Sequence, residues 1–163
     1  MSREPTTDEA AVPLTVLGVR VDLPTQNYAL LLLTPSGDVV VPVWVGVPEA
    51  TAVALVLDGQ RPPRPLTHDL LVDAVEALGA RVEAAWLTHI RDDAVHARLE
   101  LTGGRSLDAR ASDAIAVALR AQAPVLAEPR LVAESGVPVA EAEADDLDTF
   151  RRFIDDVDPD DFA

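Results

Sequence analysis

Carboxylates, arginines and a histidine crowd into three short stretches of this chain. Glu49 follows Val41-Pro42-Val43-Trp44-Val45-Gly46; Arg64 precedes His68 and Asp69; and Asp108, Arg110 and Asp113 stand close together further on. These residue types could supply oxygen ligands for a hard cation, a base to activate water, and cations to stabilise an anionic transition state. Arginine suits the last role because its planar fork can pair two phosphate oxygens. His68 is the sharpest candidate. It falls in the first turn of a predicted helix, where the dipole disfavours protonation and keeps the imidazole available as base or ligand.

Each candidate also has an architectural reading. A histidine at this position can bond nearby carbonyls and fix the connector. Asp69 and Asp113, in helix first turns, gain about 0.3–1 kcal/mol each from the dipole alone, and Asp73 and Glu76 extend Asp69 into a solvated stripe. Asp108 can pair with a neighbouring arginine, and Arg61 makes Arg64 part of an exposed basic loop. His89 and His96 read as ordinary strand residues, and Trp44 and Trp86 as core or interface residues more than base-stacking platforms. Gly-rich phosphate loops, Cys/His zinc spacings and nucleophile elbows are absent from the sequence.

The elements that must position these residues follow from periodicity and punctuation. Strands are predicted over Leu14–Asp22, Tyr28–Leu33 and Val39–Val45, with Pro35-Ser36-Gly37-Asp38 as a hairpin turn. Pro42 should place the third strand at an edge or make it irregular. Pro48 and Glu49 open a helix through about Leu57. A proline-rich basic connector, Gln60–Pro65, leads to a helix over His68–Leu78, with Thr67 as its N-cap, Leu71, Val75 and Leu78 on one face and Gly79 at its end. Strands return over Arg81–Ile90, Ala94–Leu101 and Ser106–Arg110, with turns at Asp92-Asp93 and Gly103-Gly104, and Ser112 is the expected cap of a helix over Asp113–Ala121. The order is thus β-β-β-α twice. Glu49-Ala50-Thr51-Ala52-Val53-Ala54-Leu55 aligns with Asp113-Ala114-Ile115-Ala116-Val117-Ala118-Leu119, which favours an internal duplication. Such Ala-rich helices are buried by close packing. The expected fold class is α+β, with duplicated β-β-β-α units packed as mixed sheets with helices, plus a short C-terminal helix.

At 163 residues and 48% apolar composition the chain can bury a core as one domain, expected over 14–138 after a flexible stretch at 1–13. Residues 139–163 read as an acidic tail, with a short amphipathic helix over Asp146–Val157. Without cysteine it has neither disulfides nor a thiolate metal site. The polar N-terminal stretch is unlike a signal peptide, and no apolar run approaches the roughly 20 residues that span a bilayer; a cytoplasmic protein with no membrane partner is expected. The net charge is −15, and ten acids against two arginines make 141–163 alone −8. Such a surface repels phosphate backbones, so a nucleic-acid site would need a local arginine cluster or a divalent cation.

Taken together, three segments resemble the bifunctional nuclease family: Val41–Gly46 with Glu49-Ala50; Arg64-Pro65-Leu66-Thr67-His68-Asp69-Leu70; and Asp108-Ala109-Arg110-Ala111-Ser112-Asp113-Ala114-Ile115-Ala116. They occur in family order within residues 14 to about 138. The third departs from the usual pattern, with Ala111 where proline is customary, which weakens local rigidity more than chemistry. The resemblance implies a compact duplicated α+β fold that associates as homodimers or larger homo-oligomers, and a nuclease acting on DNA, RNA or both. On the matching positions it implies His68, Asp69, Arg110 and Asp113 as catalytic residues, Arg64 and Arg110 as substrate contacts, and Glu49, Asp108 and Asp113 as ligands of Mg²⁺ or Mn²⁺. The competing expectation is a non-catalytic oligomeric module that binds a ligand or protein; a third is a regulator that recognises nucleic acid without cutting it.

Overall fold

A computed structural model describes residues 10–22 and 27–139; the acidic tail and its expected helix lie outside the described residues. Three strands come first: β1 (Val12–Asp22), β2 (Asn27–Leu33) and β3 (Val39–Val45). Helices α1 (Val47–Leu57) and α2 (Thr67–Ala77) follow. Then come β4 (Val82–Arg91), β5 (Ala94–Leu101), β6 (Arg105–Arg110) and α3 (Ala111–Ala121). Three short elements complete the described residues: β7 (Val125–Ala127), α4 (Pro129–Ser135) and β8 (Val137–Pro138). The fold is mixed α+β: among the described residues, one eight-stranded sheet in the order β6-β5-β4-β7-β1-β2-β3-β8 with four helices. β1 starts at Val12, two residues ahead of the expected domain boundary.

The two antiparallel sets, β1-β2-β3 and β4-β5-β6, meet through β7. It pairs antiparallel with β1 and parallel with β4 (Ala85↔Val125 to Leu87↔Ala127). The return from α3 therefore closes the sheet at its centre. β6, at one end of the strand order, and β3, next to the other end, nevertheless line one cavity, so the sheet curls. Each of the two runs directly into a helix, β3 into α1 and β6 into α3.

α1 and α3 pack against each other and on the sheet. Ala50, Val53, Ala54, Ala114, Ile115, Ala116, Val117 and Ala118 are almost fully buried there; small side chains let the two helix backbones approach. Opposite them, Leu30, Leu32, Val41 and Leu87 fill the sheet side of the core. Burying each such Leu, Ile or Val is worth about 1.5–3 kcal/mol. The open side of β3 is covered by β8 only at Val39 and Val40, so Pro42 has an unpaired edge beside it, the setting in which a strand tolerates proline.

Three details differ from expectation. The N-cap of α2 is Leu66 rather than Thr67, with its amide donating to Asp69 Oδ2 at 2.9 Å, and that of α3 is Arg110 rather than Ser112. α2 packs as an outer layer on α3 and buries only Val72; Leu71 and Leu78, expected inward, are exposed together with Leu70. A helix that touches one neighbour can bury only a narrow stripe, and Val72 occupies it.

Candidate active site

The curl of the sheet brings the β3–α1 junction against the β6–α3 junction, and α2 sets its N-terminus against the second. Glu49, in the first turn of α1, and Asp113, in the first turn of α3, both face Arg110 at the end of β6. Arg110 Nε donates to Asp113 Oδ2 at 2.7 Å and Nη2 to Asp113 Oδ1 at 3.1 Å, a bidentate pair; Nη2 also lies 3.0 Å from Glu49 Oε1. His68, from the first turn of α2, places Nε2 3.0 Å from Asp113 Oδ1. Residues 45 positions apart therefore share one carboxylate.

Asp113 controls the imidazole. Burial pushes its carboxyl up, but hydrogen bonds from Arg110 and His68, with the Arg110 charge, outweigh that and hold it below the ordinary 3.8. An ionised carboxylate only accepts, so His68 Nε2 carries a proton, and in the neutral imidazole the lone pair is on Nδ1. Nδ1 has no hydrogen-bond partner among the described residues. Arg110 is held protonated in turn, its pKa raised by the bond to Asp113 and by the charges of Asp113 and Glu49, against a smaller effect of burial. Of its five N–H donors, those on Nη1 make no bond among the described residues, and its side chain is 67% exposed, so it can still take an anion from solvent.

Gly46 keeps Glu49 in place. A Cβ at Gly46 would stand 2.6 Å from Glu49 Oε2, so the absence of a side chain there lets the carboxylate fold back toward its own helix terminus and reach Arg110. Beside this cluster a cavity of about 530 Å³ opens between β3, the β4–β5 turn and β6. Glu49, Arg110, Asp108, Asp93, His96 and Trp44 are on its walls.

The remaining expected residues separate from this group. Asp69 turns to the other side of α2, where its Oδ1 accepts from Arg120 Nε at 2.6 Å. Arg120, only 6% exposed, also donates to the carbonyls of Ala52 and Ala116, tying α2 to α1 and α3. Asp69 is thus no part of a solvated stripe, and the structure gives it a joining role. Arg64 is exposed on the connector and pairs with no described residue. Asp108 is exposed on the cavity wall, opposite Arg98 in the β5–β6 register. Among the described residues no group of three or more His, Asp and Glu side chains gathers as a set that could hold a metal ion. Glu49 and Asp113 are turned to the Arg110 guanidinium, and Asp108 does not join them, so this arrangement does not fit a resident divalent ion.

Sequence reading missed Arg120 altogether. Trp44, expected in a core or interface, is not in the core: it is 61% exposed at the cavity. His89 and His96 are cross-strand neighbours with rings stacked at 4.8 Å, and Trp86 lies under Arg98 at 5.1 Å.

A curled α+β sheet whose two strand-to-helix junctions share one arginine, with a histidine delivered by a third helix, defines the class. Within that class, the chain belongs to the bifunctional nuclease domain family, whose model matches residues 30–140. It is 36% identical over 156 residues to an uncharacterized protein of Mycobacterium tuberculosis, covering 90% of this chain and 95% of that one. It is 29% identical over 133 residues to bifunctional nuclease 1 of Oryza sativa subsp. japonica and to a bifunctional nuclease of Oryza minuta. That match covers 77% of this chain but 40% of each rice protein. Among the described residues no helix is long and apolar enough to cross a membrane.

Proposed function

We propose that the chain is a nuclease that hydrolyses phosphodiesters of DNA, RNA or both at the His68–Asp113–Arg110 cluster. The observation that carries this is the His68–Asp113 hydrogen bond, made to a carboxylate that also holds an arginine with donors to spare. In the proposed step a water oxygen attacks phosphorus while its proton passes to His68 Nδ1. The P–O ester bond breaks, and the departing alkoxide takes a proton from solvent. Arg110 pairs a non-bridging oxygen as charge accumulates. Asp113 is a positioning residue that fixes the tautomer and the ring, and Glu49 holds Arg110 from the opposite side. Arg64 supplies a second, outlying phosphate contact. Mg²⁺ or Mn²⁺ would enter only with the phosphate, whose charge it would offset. A water nucleophile serves DNA and RNA alike, since DNA has no 2′-hydroxyl.

The test compares highly purified wild type with His68→Ala on single-stranded DNA and RNA, with Mg²⁺ or Mn²⁺ and with chelator. Loss of general-base catalysis should lower turnover about 10²–10⁴-fold. Cleavage that survives the substitution unchanged would refute the assignment, and cleavage that survives chelation would remove the divalent ion from it.

A second reading has its own support. Leu70, Leu71 and Leu78 leave α2 with an exposed apolar side, which suits a homo-oligomeric interaction module. Under that reading the charged cluster is architecture, and the repeated β-β-β-α order records an ancestral duplication. Light scattering on wild type and Leu78→Glu distinguishes it: dissociation of an oligomer without any nuclease activity in wild type would favour this alternative.

A further inference from the structure

We propose that the cavity beside Arg110 is a nucleobase subsite, in which Trp44 stacks one unpaired base of a single-stranded nucleic acid. A tryptophan usually hides 150–250 Å² of surface in a core or interface. Trp44 instead leaves β3 with its side chain 61% exposed, on the wall of a cavity of about 530 Å³, large enough for a nucleotide. Its sequence neighbours Val43 and Val45 line the same cavity.

The other walls carry charged groups of both signs. Arg110 is the cation of the cavity, and the exposed carboxylates Asp93 and Asp108 face the same space. Carboxylates repel a phosphate but accept hydrogen bonds from the amino group of a base, as Asp and Glu do from cytosine N4. The base therefore enters toward Trp44 and the aspartates, while its phosphate stays at the Arg110 rim. A base inside a duplex has both faces stacked and its amino group paired, so this geometry selects single strands. The ligand's identity rests on the nuclease reading; the binding measurement does not require cleavage.

The experiment uses the full chain carrying Trp86→Phe, so that fluorescence reports Trp44 alone. Short phosphorothioate oligodeoxycytidine, oligothymidine and a duplex of equal length serve as uncleavable probes, with anisotropy of labelled strands giving affinity. Single strands should quench Trp44, with oligodeoxycytidine binding tighter than oligothymidine and the duplex weakest. Trp44→Ala should weaken single-strand binding roughly 5- to 150-fold, the range for loss of one base–aromatic stack, and Trp44→Phe should restore most of it. Equal affinity of Trp44→Ala and Trp44, or equal binding of duplex and single strand, would overturn the subsite. So would quenching only by a cationic peptide, or a Trp44→Ala change in oligomer mass without a change in strand affinity. Binding that depends on Trp44 in a protein that cuts nothing would sink the nuclease reading and leave the subsite standing; cleavage indifferent to Trp44 would do the reverse.

Discussion

Asp113 holds His68 and Arg110 at once, and its titration should report both. Its folded pKa is depressed, so the stabilisation it provides is complete above the unfolded carboxylate value near 3.9 and is lost as pH falls through the folded value. Since Asp113 and Arg110 are both partly solvated, that contribution is about 1 kcal/mol or less. Urea melts between pH 5 and about pH 2 should therefore show wild type and Asp113→Asn converging as acid is added; a constant gap would mean that Asp113 is not ionised in its pairs. Gly46→Ala makes a complementary test. The new methyl displaces Glu49 Oε2, the flexible end of a side chain, so stability should change by less than about 1 kcal/mol while Arg110 loses one anchor. Turnover falling several-fold with thermal stability nearly unchanged is the expected result. At this scale the sequence named His68, Arg110, Glu49 and Asp113 by residue type and motif. It could not show that Asp113 is shared, or that Asp69, beside His68 in the chain, faces the other way. Those outcomes depend on the angle of α2 across α3, which no local spacing encodes.

α2 is the element on which the site depends most and which the core holds least. It buries Val72 and little else, and its attachment includes the Asp69–Arg120 pair, which reaches α1 and α3 through two backbone carbonyls. Breaking a buried pair by removing one partner costs about 3–5 kcal/mol. Arg120→Ala should fall near 3, because Asp69 keeps contact with water. That corresponds to a Tm lower by about 10 °C for a domain of this size. Nuclease turnover should fall as well, since His68 rides on the same helix; a variant that melts early yet cuts normally when folded would show that α2 needs no such tether. The six longer strands and three longer helices were legible from alternation, turns and punctuation. Asp92-Asp93 and Gly103-Gly104 do adopt the positive φ that tight hairpins need. β7, α4 and β8 were not, because none is long enough to show a period. β7 is a strand only because β1 and β4 flank it, and α4 begins at a proline and lasts seven residues. The burial of α2 was not legible for the converse reason: its leucines keep helical spacing, but the helix packs chiefly on α3, which leaves them uncovered.

Over the whole molecule, charge works against the proposed substrate. A protein of net charge −15 repels a polyanion at distances where the Arg110 rim is not yet felt. Nucleic-acid binders with basic surfaces lose affinity as salt rises, through release of counterions from the phosphates they neutralise. Here the long-range repulsion is screened first: the Debye length falls from about 30 Å at 0.01 M salt to about 8 Å at 0.15 M, while a contact between Arg110 and one phosphate changes little. The value of kcat/KM on single-stranded substrate should therefore rise with salt over that interval, before declining at higher concentrations. Replacing Asp155, Asp156, Asp158, Asp160 and Asp161 by asparagine should raise the low-salt rate and flatten the slope, since these acids lie in the most negative stretch of the sequence. A steep fall from the lowest salt onward would be the opposite result. It would require a basic surface that the arginines of this chain do not supply, and would place substrate binding on something other than one arginine and one stacked base.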